Sequence, residues 1–352
     1  MLTIRHAAVT VAVAAALVAG TASAGVQDDV YSVHNLVGDS TGSAPSADAA
    51  LVNGWGLSAG PTTPWWVSDN GTNNSTLYNA TGAKQALTVS VPGGPTGTVF
   101  NGVATDFVVS QNGKSGSARF LFATEGGQIL GWSPTVNGTL AIPGADSSSS
   151  GAVYKGLTTT GDRLYATDFH NGRVDVFDKS FAPVSLPFTD PKLPKGYAPF
   201  GIQAIGTSIF VTYAKQDAAK KDDTAGGGLG YVDQFTTDGQ FVARVASGGR
   251  KNAPPNAPWG LAMAPASYGV FSGDLLIGNF GNGRISAYQD RGGGKWVYKG
   301  QLRRGDQTLI TIDGLWAIAF GNGAAGGPTT SLYFAAGPGG EAHGLFGAIT
   351  AG

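Results

Sequence analysis

"LYATDFHNGRVDVFD", Leu164 to Asp178, decides the fold. Its two short runs, "LYATD" and "RVDVF", carry apolar residues at alternate positions, the period of a β-strand. Between them stands Asn171-Gly172, which supplies the positive-φ positions of a tight turn and is a strong hairpin signal. Asp168 and His170 sit two positions apart at that turn. The stretch is either a hairpin whose polar residues hold the turn or the rim of a catalytic or metal site.

The hairpin recurs. "LLIGNFGNGRISAYQ", Leu275 to Gln289, aligns with it without a gap and puts Asn279 at the Asp168 position. "WWVSDNGTNNSTLYN", Trp65 to Asn79, puts Asp69 there, and "LFATEGGQILGW", Leu121 to Trp132, puts Glu125 there. "IFVTYAK", Ile209 to Lys215, starts the same way and runs into the charge-rich "KQDAAKKDDTAGGG", Lys215 to Gly228. That run reads as a solvated loop, with a partner-binding arm as the alternative. "LYFAAGPGGEAHGLFGAIT", Leu332 to Thr350, is a sixth, degenerate copy.

Each hairpin follows a second element, a small residue or proline and then glycine beside an aliphatic residue. Its glycines are Gly56, Gly97, Gly156, Gly201, Gly260 and Gly314, spaced by 41, 59, 45, 59 and 54 residues. A unit of this size cannot bury its faces alone and must stack on neighbours, as propeller blades of four strands do. The expected fold is all-β, a six-bladed β-propeller. The last copy is one strand short, and "VYSVHNLVG", Val30 to Gly38, is spare. This segment is expected to complete the last blade and close the ring, which removes exposed sheet edges.

Composition agrees. The chain holds 56 glycines and 18 prolines in 352 residues, the mark of many turns. Charged residues make up 13% and the net charge is −1, without the basic stripe that nucleic-acid binding needs. The absence of cysteine excludes disulfides, thiolate metal sites and cysteine nucleophiles. Arg5, the apolar stretch Ala7 to Ala19 and the small residues Ala22-Ser23-Ala24 form a signal-peptide pattern over residues 1–24. The apolar stretch is too short for a bilayer span, which takes about 20 residues. A single propeller domain over 25–352, exported to the periplasm or the medium as a monomer, is the expectation.

The elements "PFGI", "PWGLAMAP" and "LYATDFHNGRVDVF" resemble the NHL repeat, a propeller blade. More closely, the chain looks like a family of secreted bacterial propeller proteins without assigned activity. That resemblance is carried by "NLVGDS" (Asn35 to Ser40), "LVNGWGLSAGPTTPWWVSDNGTNNSTLYN" (Leu51 to Asn79), "GGPTGTVFNG" (Gly93 to Gly102), "APWGLAMAP" (Ala257 to Pro265) and "DGLWAIAFGNG" (Asp313 to Gly323). It implies the fold and export, and brings no catalytic residues. Lactonase-type propellers are more distant, with a metal held by carboxylates and amides around the axis.

In a propeller the loop between second and third strands opens on the face where first strands begin. That face would gather Asp69, Glu125, Asp168 and Asn279 with Asn53, Asn256 and Asp313, and Asn101 and Asp106 of "NGVATDF" are candidates for the same funnel. Converging oxygens suit Ca²⁺ or another divalent cation, or a sugar-like ligand. The competing reading is structural: Asp168 pairs with Arg173 and backbone amides inside its hairpin, and His170 is a solvated turn residue. Glu341 and His343 are candidate catalytic residues, since two positions on an extended chain face one side. No P-loop or H-E-x-x-H occurs, and no α/β alternation exists to hold a nucleophile elbow for a serine hydrolase. The function expected is binding of an extracellular small molecule, carbohydrate or protein at the funnel, a reading that aromatic patches around Trp65, Trp66 or Trp259 without a metal would favour. The alternative is a metal-dependent lactonase- or lyase-type enzyme using funnel carboxylates.

Overall fold

The computed structural model describes residues 30–352, so the expected signal peptide lies outside the described residues. The chain opens with β1 (Tyr31–Gly38) and β2 (Ser46–Ala47). Blade 1 follows as β3 (Gly54–Ser58), β4 (Trp65–Asp69), β5 (Asn74–Tyr78) and β6 (Lys84–Ser90). Blade 2 starts with β7 (Pro95–Phe100), interrupts itself with a hairpin of β8 (Val108–Gln111) and β9 (Lys114–Ser117), and resumes with β10 (Phe120–Thr124), β11 (Gln128–Trp132) and β12 (Ile142–Asp146). Blade 3 is β13 (Tyr154–Thr159), β14 (Arg163–Asp168), β15 (Arg173–Asp178) and β16 (Pro183–Val184). Blade 4 is β17 (Tyr197–Ile205), β18 (Ser208–Lys215), β19 (Gly230–Thr236) and β20 (Phe241–Ser247). Blade 5 is β21 (Pro258–Met263), β22 (Leu275–Asn279), β23 (Arg284–Asp290) and β24 (Trp296–Gln301). Blade 6 is β25 (Leu315–Phe320), β26 (Ser331–Ala336) and β27 (Leu345–Ala351).

The sixth sheet runs β2-β1-β27-β26-β25. The segment expected to close the ring does so, with Tyr31 opposite Ala351 and Gly38 opposite Leu345 in antiparallel register. The molecule is a six-bladed β-propeller. Each seam between blades is an apolar layer: Trp66, Leu77, Phe120 and Phe122 fill the seam of blades 1 and 2, and Leu276, Ile285, Leu332 and Phe334 that of blades 5 and 6. This explains the quoted hairpin. β14 is buried on both faces rather than on one, because a middle strand is covered by a neighbour on each side.

The hairpin turn differs from the two-residue turn expected of Asn171-Gly172. Asp168 pairs with Arg173, leaving four loop residues, and of the pair only Gly172 has positive φ, at +69°. Its N–H donates to the Asp168 carbonyl at 2.9 Å, and Gly283 repeats this contact to Asn279 in blade 5.

Five first strands carry their glycine where the next blade's first strand presses in. A methyl group at Gly201 would run into the Trp259 carbonyl, and at Gly260 it would lie 2.6 Å from the Trp316 carbonyl. The sixth equivalent is Ala317, between Trp316 and Ile318. Gly314, the residue expected there, instead turns the chain into β25 with φ of +63°. The residues just before this ring are Trp55, Thr96, Lys155, Phe200, Trp259 and Trp316; those just after are Leu57, Thr98, Leu157, Ile202, Leu261 and Ile318. The latter six line an axial cavity of about 300 Å³ that lies below the ring.

Candidate functional site

The starts of first strands and the ends of second strands share one face, because they pair antiparallel: Gly54 with Asp69, Tyr154 with Asp168, Pro258 with Asn279 and Leu315 with Ala336. In blade 2 the paired residue is Thr124, opposite Pro95, so Glu125 stands one position further into the mouth.

Lys155 organises the mouth. Its side chain is 1% exposed although it carries a charge, so it needs partners. Its ammonium lies 2.8 Å from Glu125 and 3.1 Å from Asp222, and 4.6 Å above the Trp55 ring. Asn70 donates to Glu125 at 3.1 Å. Asn53 donates to Glu341 at 2.7 Å and to Asn70 at 3.4 Å, and accepts from the Trp316 indole at 2.9 Å. Blades 1, 2, 3, 4 and 6 thus meet in one network.

Burial raises the pKa of Glu125, but the Lys155 charge, its hydrogen bond and that of Asn70 outweigh this and leave it lowered. Asp223 is pushed up to about 7, first by burial, with the charges of Glu341 and Asp222 adding and Lys155 opposing. Glu341 is also raised, chiefly by burial. Beneath lies an aromatic plug: Trp316 stacks on Trp55 and on Phe280, each at 3.8 Å, and Trp259 meets it edge-on at 5.9 Å. Three buried polar atoms here have no hydrogen-bond partner among the described residues: Trp55 Nε1, Trp259 Nε1 and Asp223 Oδ2.

The residues anticipated from sequence divide. Asn53, Glu125 and Glu341 enter the network. Asp168 stays in its hairpin: it accepts from the Asn171 side chain at 2.6 Å and from the Asn171 and Val153 amides, both at 3.2 Å. Arg173 stands 3.6 Å from Asp168 and reaches Asp175 at 2.6 Å. Asp69 accepts from the Thr76 amide at 2.9 Å inside blade 1, and its pKa is raised well above the usual range, first by burial. Asn279 accepts from the Asn256 amide at 2.9 Å, Asn256 from the Gly226 amide at 2.6 Å, and Asp313 from the Gly339 amide at 2.8 Å. Each of these side-chain oxygens is taken up by a backbone amide.

Asn101 and Asp106 lie at the other end of β7 from the mouth, where Asn101 ties down the 101–118 excursion through the Val103, Asp106 and Ala118 carbonyls. Glu341 and His343 do not face one side. Gly339, Gly340 and Glu341 all have positive φ, so the loop coils instead of extending. Glu341 turns inward to Asn53, and His343 meets Asp39 at 2.8 Å.

The donor set does not fit a divalent cation. The oxygens are dispersed among turns, and the Lys155 ammonium occupies the space between Glu125 and Asp222. Among the described residues no three His, Cys, Asp or Glu side chains stand close enough to hold a metal ion.

Sequence reasoning missed Lys155, Asn70, Asp222 and Asp223. One signal was present: "YKGL" puts lysine where other blades have Trp, Thr, Phe, Trp and Trp. The charge-rich run, read as a solvated loop, folds back by a Gln216–Asp223 bridge and brings Asp222 to Lys155.

A scan against protein-family profiles finds no match. Sequence comparison finds uncharacterised proteins of Acanthamoeba polyphaga mimivirus. One is 34% identical over 233 residues, 64% of this chain, and the match spans only 42% of that relative's length. Another is 30% identical over 306 residues, 82% of this chain and 78% of that protein. These relatives are viral, where the sequence resemblance pointed to secreted bacterial proteins. Among solved structures, a protein of unknown function from Bacteroides thetaiotaomicron is similar with a TM-score of 0.56 and 12% identity, covering 92% of this chain and 76% of that one. Virginiamycin B lyase from Staphylococcus aureus is similar with a TM-score of 0.52 and 14% identity, covering 92% and 99%. At such identities the likeness carries the propeller fold and no activity.

Proposed function

The chain belongs to one family with these mimivirus proteins, and from that premise we propose that it is a propeller that binds a small hydroxyl-bearing molecule at the mouth of its axis. The observation that carries this is the polar network of Asn53, Asn70, Glu125, Lys155, Asp222 and Glu341 laid over the aromatic plug at the mouth. Trp55 Nε1 and Trp259 Nε1 are buried donors and Asp223 Oδ2 a buried acceptor, each without a partner among the described residues. An unmet buried polar group costs about 1–3 kcal/mol. A hydroxyl both accepts and donates, so a sugar or polyol can engage the amides and carboxylates of this network, with the partly exposed Phe280 ring as its apolar platform. The metal-dependent lactonase or lyase reading finds no support in the donor set. The signal-peptide pattern over residues 1–24 supports export as the setting. Among the described residues no helix is long and apolar enough to cross a membrane.

The test is a thermal-shift screen of monosaccharides and polyols against wild type, Trp55→Phe and Asp223→Asn. At least one compound is expected to raise the wild-type Tm by several degrees and to lose most of that shift in both variants. An inert panel, or a shift that both variants retain, rejects the reading.

A further inference from the structure

The geometry points to a second, separate ligand site on the opposite face, at the seam of blades 1 and 2, built for a small aromatic carboxylate. A cavity of about 490 Å³ opens there between Trp66, Phe100, Phe120, Trp132, Arg119 and the loop from Pro61 to Pro64. Its walls are flat and apolar. Trp66 stacks on Phe120 at 4.0 Å and meets Trp132 at 4.7 Å, and Phe100 meets Phe120 edge-on at 5.3 Å.

The walls are fixed before any ligand arrives. The Trp132 indole N–H donates to the Gly138 carbonyl at 3.0 Å, which sets its ring orientation and leaves the ring surface for contact. The lip is tied down from blade 6: Asn322 donates to the Gly60 and Thr63 carbonyls at 2.7 and 2.8 Å, and the Gly60 amide donates to the Thr63 hydroxyl at 2.8 Å. A site ordered in advance loses little on binding. Most ligand pockets have this make-up, apolar walls with few polar groups.

Among the described residues Arg119 is the only charged one lining the cavity. Its guanidinium lies 5.1 Å from the Phe100 ring centre. Among the described residues its side chain makes no hydrogen bond or ion pair, so its fork of donors is free. A planar fork of this kind matches a carboxylate with two parallel hydrogen bonds. Flat apolar walls beside one unneutralised guanidinium select a ring bearing a single carboxylate.

Phenylacetate is the probe, followed by calorimetry and by quenching of tryptophan fluorescence on the full chain. It is expected to bind saturably, whereas acetate does not bind and 2-phenylethanol binds at least about tenfold more weakly, the scale of a charge-assisted hydrogen bond. Arg119→Leu is expected to cut phenylacetate affinity roughly tenfold or more, and Arg119→Lys by less. Lys195→Ala, in the exposed loop leading into β17 at the mouth face, leaves it unchanged. Absence of saturable binding, equal affinity for phenylacetate and 2-phenylethanol, or unchanged affinity in a folded Arg119→Leu variant overturns the proposal. So does loss of binding in Lys195→Ala.

Discussion

Lys155 and Glu125 join blades 3 and 2 through a 2.8 Å ion pair, from which the lysine side chain is almost wholly closed to water. Removing one member of a buried pair leaves the other uncompensated, at a cost of roughly 3–5 kcal/mol. Glu125 keeps some contact with solvent, so Lys155→Met is expected near the lower end, about 3 kcal/mol at pH 7. The lowered pKa of Glu125 sets the pH dependence. Its contribution is present above the unfolded-state pKa and is lost as pH falls through the folded one. The mutational cost measured by urea unfolding should therefore shrink at acid pH; a constant cost would remove the pair from the account.

Asp223 has the opposite sign. Its folded pKa stands at about 7, above the ordinary 3.8. A raised carboxyl contributes stability fully below its unfolded pKa and loses it as pH rises through the folded value. Asp223→Asn should therefore be more stable than wild type at pH 8, by something on the order of 1–2 kcal/mol, with the gain fading toward pH 4. Parallel urea titrations decide it.

Gly201 and Ala317 hold equivalent places in the ring and should respond differently. Gly201→Ala drives a methyl into the Trp259 backbone and is expected to cost about 3 kcal/mol or more. Ala317→Gly, a glycine placed in a strand, should cost only about 1 kcal/mol. Equal losses would refute the ring geometry.

Deleting residues up to Ser40 removes β1 and bares the edge of β27. An uncovered edge strand templates pairing with other chains. The truncated protein should elute as dimers or larger species in size-exclusion chromatography, and a well-behaved monomer would contradict the closure.

EDTA and millimolar Ca²⁺ should both leave the Tm unchanged, because Glu125 and Asp222 are matched by Lys155 and Asp69, Asp168 and Asp313 accept from backbone amides. Asp168→Ala should cost about 2 kcal/mol through its turn amides and no metal affinity. A Ca²⁺-dependent rise in Tm that Asp168→Ala abolishes would reinstate a metal site.

The architecture was legible because a blade writes itself in short local patterns: the period of "RVDVF", the glycine of the turn, the Gly-aliphatic element. Register was harder. "DGLWAIAF" offers both a glycine and the tryptophan phase, and only the Trp55, Trp259 and Trp316 correspondence selects Ala317. Turn conformation was harder still, since three consecutive positive φ angles undo the parity argument for Glu341 and His343. The mouth was least legible. Asn53, Asn70, Glu125, Lys155, Asp222 and Glu341 come from five blades, and only closure of the ring makes them neighbours. Asp168 and Asn279, prominent in sequence, are spent on their own hairpins.

His34 and Thr350 share a hydrogen bond across 316 positions of chain. During synthesis β1 must wait for β27, which emerges only after the five intervening sheets, and these stack without their clasp. Such remote contacts fold slowly and leave sticky intermediates exposed. The nascent chain therefore passes through a long open-ring stage, and chaperone dependence is expected to track that interval.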